Sequence, residues 1–323
     1  MTGTILARLL SWREANNECR RAAAEWTALR DGPLRQVGRD LPAKEMRHLQ
    51  HTVYRINSLV FLYAHLRRAG HSTELGVLLG AITHLLDYAY DHRRLSAADL
   101  RAMEEVVIAH RRPDPHDDLQ AALSVLAERA WGLVADPASV RTRLADMLVT
   151  QRRSLAQSAG QPMPAGQLQQ VTWDKGHHSL CLYFAAVNPD FSVGEARALR
   201  SFGAYMQYMD DLEDLYEDRA EGRQSPVART LAGLPKATRL FRAARQDLAS
   251  YYGGDRGRYN YGVFIAWLAL FHVGILTAAV IREVTLLLPL RAQRGLDRCQ
   301  QWLAGRVPFF QVAPLSVVRG RPR

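Results

Sequence analysis

Twenty consecutive residues without a formal charge, GVFIAWLALFHVGILTAAVI at 262–281, restrict this chain more than any other segment. A stretch of that length and apolarity either crosses a bilayer or forms a helix shielded on every side by other helices. No second comparable span exists, and Arg282 and Glu283 follow without a basic bias on one flank. The expectation is a helix buried all round inside a large helical protein.

Apolar residues recur at helical spacing almost throughout, and no alternating run bounded by hairpin turns appears. The pattern predicts helices over 45–68, 75–93, 97–110, 139–159, 166–186 and 192–220, with Ser96 and Asp99 forming the N-terminal cap of the third. Loops are expected at 112–116, 188–190, 222–226 and 253–257, where Gly, Pro and Asn concentrate. The fold class read from this pattern is all-α, with about ten helices. A single domain is expected over 1–323, with 316–323 as a disordered tail.

Composition narrows the class further. With 48% hydrophobic and 23% charged residues, the chain is neither disordered nor collagen-like. Cys19, Cys181 and Cys299 lie far apart with no CxxC pair, which argues against a disulfide or zinc framework and fits a reducing cytoplasm. The 42 basic residues outnumber 32 acidic ones for a net charge of +10, and all the basic residues except Lys44, Lys175 and Lys236 are arginines. Such a surface attracts phosphate-bearing ligands, anionic membranes or nucleic acid without choosing among them. The arginines are dispersed and no recognition-helix motif accompanies them, so nucleic acid is not an expected partner.

Against this basic background two acidic groups stand out. In AITHLLDYAYDH, Asp87 and Asp91 are four residues apart and share one helix face among apolar neighbours. Like charges at that spacing destabilise a helix unless a cation lies between them or the helix end is solvated. In YMQYMDDLEDLYEDRAEGR, Asp210, Asp214 and Asp218 follow at i, i+4 and i+8, a ladder about 12 Å long, with Gln207 one turn earlier. Acidic runs are usually solvated faces, yet this one continues a helix whose earlier residues, Phe202, Ala204, Tyr205, Met206 and Met209, are apolar. Oxygen ligands without His or Cys suit Mg²⁺, which keeps waters and takes a few carboxylates together with substrate phosphates. Arg152, Arg153, Lys175, Arg219 and Arg223 are the candidate cations for a diphosphate, with Gln207 beside them.

These segments resemble the class I isoprenoid synthases. ALRSFGAYMQYMDDLEDLYED is similar to the second Asp-rich helix of trans-prenyl diphosphate synthases through Gln207, Asp210, Asp211 and Asp214. Read on to EDRAEGR, it is also similar to the second motif of squalene and phytoene synthases and of the large tetraprenyl-curcumene-type terpene synthases. The DxxxD spacing of Asp87 and Asp91 matches the first motif of those last two groups, and the two motifs lie 123 residues apart. The chain lacks the arginine-rich isopentenyl diphosphate signature of chain-elongating enzymes and the N-terminal arginine motif of the head-to-head condensing ones. The terpene synthases are therefore the nearest functional match.

The resemblance implies a class I terpenoid synthase helical bundle around a central apolar cavity. It also implies Mg²⁺ held by Asp87, Asp91, Asp210, Asp214 and Asp218, and a prenyl diphosphate as substrate. The expected chemistry is ionisation followed by cyclisation or elimination. Head-to-head prenyl transfer is the alternative within enzymes, and a non-catalytic isoprenoid- or membrane-binding protein is the alternative outside them. Tyr88, Tyr90, Trp173, Phe184, Tyr205, Trp267 and Phe271 are candidates to line the pocket and stabilise a carbocation. The expected setting is cytoplasmic, as a monomer or homodimer, with peripheral membrane contact left open.

Overall fold

The computed structural model describes residues 2–92, 95–158, 162–220, 222–255 and 257–286. They form twelve α-helices and one 3-10 turn with no strand among them, so the fold is all-α. The helices cluster into two compact units, one of Met1–Gln151 with Cys181–Phe191 and the other of Arg152–Leu180 with Ser192–Arg323. Both units are therefore discontinuous in sequence. The expected tail at 316–323 lies outside the described residues.

The first unit contains α1 (Thr2–Asp31), α2 (Val37–Asp40), α3 (Ala43–Arg67), α4 (Thr73–His92), α5 (Ala97–Ala109) and α6 (Asp118–Leu133). It also takes most of α7 (Pro137–Ser154) and the end of α8 (Ala165–Val187). The predicted cap is present: Ser96 Oγ accepts from the Asp99 amide at 3.2 Å, and Asp99 Oδ2 accepts from the Ser96 amide at 3.1 Å. Glycines set the contact between α3 and α4. A Cβ on Gly80 would lie 2.7 Å from Val53 Cα, and one on Gly76 would lie 2.3 Å from Asn57 Oδ1. Side chains are missing where the two backbones need to approach. Leu75, Leu78, Leu79, Ile82, Leu85, Leu86 and Ala89 then bury most of the α4 circumference. The half-buried remainder includes His84, Asp87, Tyr88 and Asp91.

Glu18 anchors α1 to this pair. Only 1% exposed, its carboxylate accepts from Asn57 Nδ2 at 2.9 Å and from Arg21 Nη2 at 2.8 Å, and lies 2.8 Å from His71 Nε2. Burial alone would raise its pKa, but the hydrogen bonds from His71 and Asn57 and the charge of His71 outweigh burial and hold it at about 2. A depressed carboxyl pKa gives stability that is complete above the unfolded value and disappears as pH falls through the folded one. Acid titration from pH 4.5 to 2 should therefore remove on the order of 3 kcal/mol from the wild type. Glu18→Gln should flatten this limb of the melting-temperature profile, and an unchanged profile would show that the network does not hold α1.

The second unit opens with the last residues of α7, passes through the 3-10 turn Leu155–Ser158 and continues through the first part of α8. α9 (Val193–Ala198), α10 (Arg200–Ala220), α11 (Thr230–Tyr252) and α12 (Tyr261–Leu286) complete it. Two expected helices are shorter than predicted. The one read from 139 ends at Ser154, and the one read from 192 is divided at Leu199, whose amide is shared between the Glu195 and Ala196 carbonyls. That shared bond tightens the chain between α9 and α10.

The uncharged run is the core of α12, but it is not buried all round. Phe264, Trp267, Leu268, His272, Ile275 and Ala279 are buried, with the His272 ring stacked on Phe241 at 4.4 Å and its Nδ1 3.1 Å from Tyr205 Oη. Leu270, Val273, Val280, Ile281 and Val284 are 41–61% exposed. Periodicity could not separate these faces because both are apolar.

Candidate functional site

The acidic face of α10 is placed by its contact with α8. A Cβ on Gly176 would stand 2.2 Å from the Gly203 carbonyl oxygen and 2.8 Å from Gln207 Cβ, and one on Gly203 would stand 2.5 Å from His177 Cα. The two helices thus meet backbone to backbone one turn before Gln207 and one residue after Lys175. Gln207 Nε2 donates to Asp210 Oδ2 at 3.2 Å and to Asp211 Oδ1 at 3.3 Å, spanning both carboxylates.

Asp211 is strongly perturbed on this face. Its Oδ2 is sealed from solvent and has no hydrogen-bond partner. Burial, followed by the neighbouring charge of Asp210, pushes its pKa up to about 8; the Gln207 hydrogen bond and the Lys175 charge pull the other way. A second lysine arrives from α11. Lys236 Nζ donates to Gln169 Oε1 at 3.0 Å and sits 5.2 Å above the Tyr208 ring. Burial and Arg239 lower the Lys236 pKa, while Asp211 opposes them. Two of the three lysines in the sequence therefore act on one carboxylate.

Trp173 lies on the α8 face between Gln169 and Gly176, at i+4 from the first, and its indole N–H is sealed without a partner. Asp211 Oδ2 on α10 and Trp173 Nε1 on α8 are thus an unmet acceptor and an unmet donor on two helices that pack together. Buried polar atoms in native proteins normally have partners, and an unpaired one calls for an explanation, such as a ligand, ion or water that completes the set. The donor chemistry of this face suits a hard divalent cation, because it offers carboxylate oxygens and carries too little positive charge for them. Among the described residues, no group of three or more His, Cys, Asp or Glu converges closely enough to hold a metal by itself. Water and phosphate oxygens would have to supply the remaining positions.

The other nominated residues have distinct places. Asp210 and Asp218 are half-buried and Asp214 is exposed. In the first unit, Asp87 Oδ1 accepts from Gln151 Nε2 at 2.5 Å, and Asp91 lies one turn further along α4. Thr83, one turn before Asp87, accepts from Tyr183 Oη at 3.2 Å. The Asp87 carboxylate thus takes an oriented hydrogen bond from an α7 amide. Arg152 and Arg153 are exposed at the end of α7, and Arg223 is half-buried. Arg219 is exposed and donates to the Ala228 carbonyl.

The nominated aromatics separate by contact. Tyr90 is buried and donates to Glu104, while Tyr88 is half-buried. Phe184 is buried flat against Tyr63, with ring centroids 3.7 Å apart. Tyr205 packs on Phe241 and His272, on the side of α10 away from the Asp ladder. Trp267 is buried and Phe271 half-buried on α12.

The structure gives weight to two residues that the sequence reading did not nominate as ligands: Asp211, named there only within the second Asp-rich motif, and Lys236. The i+4 ladder draws attention to Asp210, Asp214 and Asp218 and leaves Asp211 among the flanking positions, although Asp211 stands at i+4 from Gln207. Lys236 carries a usable signal, since a lysine is unusual in a chain so dominated by arginine.

No known protein-family pattern matches this chain, and no curated protein does. Among solved structures, the chain is similar to the crystal structure of a geranyltransferase from Legionella pneumophila, across 85% of this chain and 99% of that one, at 14% identity and a TM-score of 0.49.

Proposed function

We propose that this protein is a Mg²⁺-dependent isoprenoid synthase that ionises an acyclic prenyl diphosphate and converts it to a terpene by cyclisation or elimination. The observation that carries the reading is Asp211, a carboxylate with a sealed, unmet oxygen beside Asp210 and Gln207 and opposed by Lys175 and Lys236. A solvated acidic face would show neither the orphaned oxygen nor the raised pKa.

On this reading Asp210 and Asp211 hold metal, Gln207 fixes the orientation of both, and Asp214 and Asp218 extend the oxygen ladder along α10. Asp87 and Asp91, on α4 of the first unit, form a carboxylate pair of their own. Lys175 and Lys236 meet phosphate oxygens that the metal leaves uncovered. Bound Mg²⁺ would neutralise the charge that develops as diphosphate leaves carbon. Lysine suits this position as a compact point charge on a flexible stem.

The test is incubation with prenyl diphosphates of increasing chain length, with and without Mg²⁺, followed by mass spectrometry of the organic extract. A hydrocarbon or alcohol of unchanged carbon number, formed only with Mg²⁺, is the expected result. A product of doubled carbon number would reassign the site to head-to-head prenyl transfer. No turnover of any chain length, with no Mg²⁺-dependent diphosphate binding, would remove the enzyme reading.

A further inference from the structure

The exposed stripe of α12 has no role in the proposed chemistry, and its character is unusual for a helix on a protein surface. A surface helix normally turns one apolar stripe to the core and a polar face to water. α12 turns apolar residues both ways. The inward stripe is already committed to the second unit through Phe264, Leu268, His272 and Ile275. The outward residues Leu270, Val273, Val280, Ile281 and Val284 follow at i, i+3, i+10, i+11 and i+14, a continuous ridge with Thr277 completing it. The span Tyr261–Thr285 has a mean hydropathy of 2.3, yet only 33% of its most apolar window is buried. An aliphatic ridge of that length in contact with water is costly and marks a surface that meets something apolar.

Spanning a bilayer would tear the helix from its partners. His272 is paired with Tyr205, Arg282 donates to the Leu212 and Glu213 carbonyls, and Tyr216 donates to Glu283. Charge then selects among the occupants that leave these contacts intact. Exposed Arg258 precedes the helix, and Arg245 stands beside its first turn, where Tyr261 Oη donates to the Arg245 carbonyl. After the helix, the sequence from 287 to 323 carries seven arginines and one aspartate. A second copy of a chain with net charge +10 would bring like charges together, including Arg245 and Arg258 beside the start of the ridge. An anionic lipid surface offers opposite charge to these arginines and hydrocarbon to the ridge.

We propose that α12 lies in the plane of an anionic membrane surface, with its outward ridge in the acyl boundary and Arg245 and Arg258 on the headgroups. This goes beyond the proposed reaction and does not depend on it. The test is flotation of the full chain with vesicles of phosphatidylglycerol and phosphatidylcholine, compared with vesicles of phosphatidylcholine alone. Preferential binding to the anionic vesicles, weakened by salt, is expected. The double substitution V273D/V280D should lower the partition coefficient by about tenfold or more, because it places charge in the middle of the ridge. Both positions are exposed, so the melting temperature should change little, and V125D, an exposed valine on α6 in the first unit, should bind vesicles as the wild type does. If V273D/V280D unfolds, L270S supplies the milder arm and should still reduce binding. Undiminished flotation of folded ridge variants would overturn the proposal. A dimer that these substitutions dissociate, in a chain that ignores anionic vesicles, would overturn it in favour of self-association.

Discussion

Asp211→Asn is expected to make the protein more stable and less able to bind a metal–diphosphate complex. A carboxyl whose folded pKa stands at about 8, above its ordinary 3.8, keeps its proton in the fold while the unfolded chain releases it. Stability contributed by this group therefore falls as pH rises from about 4 to about 8 and is constant beyond. Asparagine has nothing to titrate, so the stability gap between variant and wild type should widen over that interval and then level. A tenfold change in proton affinity corresponds to about 1.4 kcal/mol, which puts the plateau at a few kcal/mol and the change in melting temperature at several degrees. Melting curves at stepped pH read this directly.

Mg²⁺ with a non-hydrolysable diphosphate analogue should reverse the ordering. The wild type should gain melting temperature because cation binding compensates the buried charge, whereas the variant, with a neutral oxygen in that place, should gain little. Asp214→Ala should lose the same rise without the stability gain, since Asp214 is exposed and lacks the sealed oxygen of Asp211. A gap that does not vary with pH would show that Asp211 is solvated. A full ligand-induced rise in Asp211→Asn would show that it holds no metal.

The second large effect is expected at the crossing of α8 and α10. Gly176→Ala or Gly203→Ala places a methyl group 2.2 Å from a carbonyl oxygen or 2.5 Å from a Cα, and neither neighbour is a flexible side chain that can turn away. The helices have to separate, at a cost of about 3 kcal/mol or more, the upper part of what overpacking usually costs. Separation also moves Lys175 away from Gln207 and Asp211, so folded variant should lose diphosphate binding. Gly132→Ala is the control: nothing lies within 4 Å of its added Cβ, and helix propensity alone should stabilise by up to about 1 kcal/mol. Calorimetry that finds Gly176→Ala as stable as the control would show that the close approach is not structural.

The membrane-length run shows how far the sequence could be read. Twenty uncharged residues announce a helix, and α12 is that helix, but uniform apolarity conceals which half is covered. Coverage depends on neighbours contributed by α10 and α11, and periodicity contains no information about neighbours. The break at Leu199 is hidden for a related reason, because both of its flanks carry helical spacing and only a shared amide bond separates them.

The candidate site divides in the same way. Helical period alone places Asp87 with Asp91, and Gln207 with Asp210, Asp211, Asp214 and Asp218, because side chains three or four residues apart share a face. The rarity of lysine marks Lys175 before any contact is known. Tertiary structure decided that Asp211 carries the sealed oxygen and that Lys236 joins Lys175 in acting on it. It also turned Tyr205 into the core and left one side of α12 bare. Local spacing fixes direction around a helix axis, whereas burial, orphaned atoms and charge pairing arise only when distant segments of the chain are brought together.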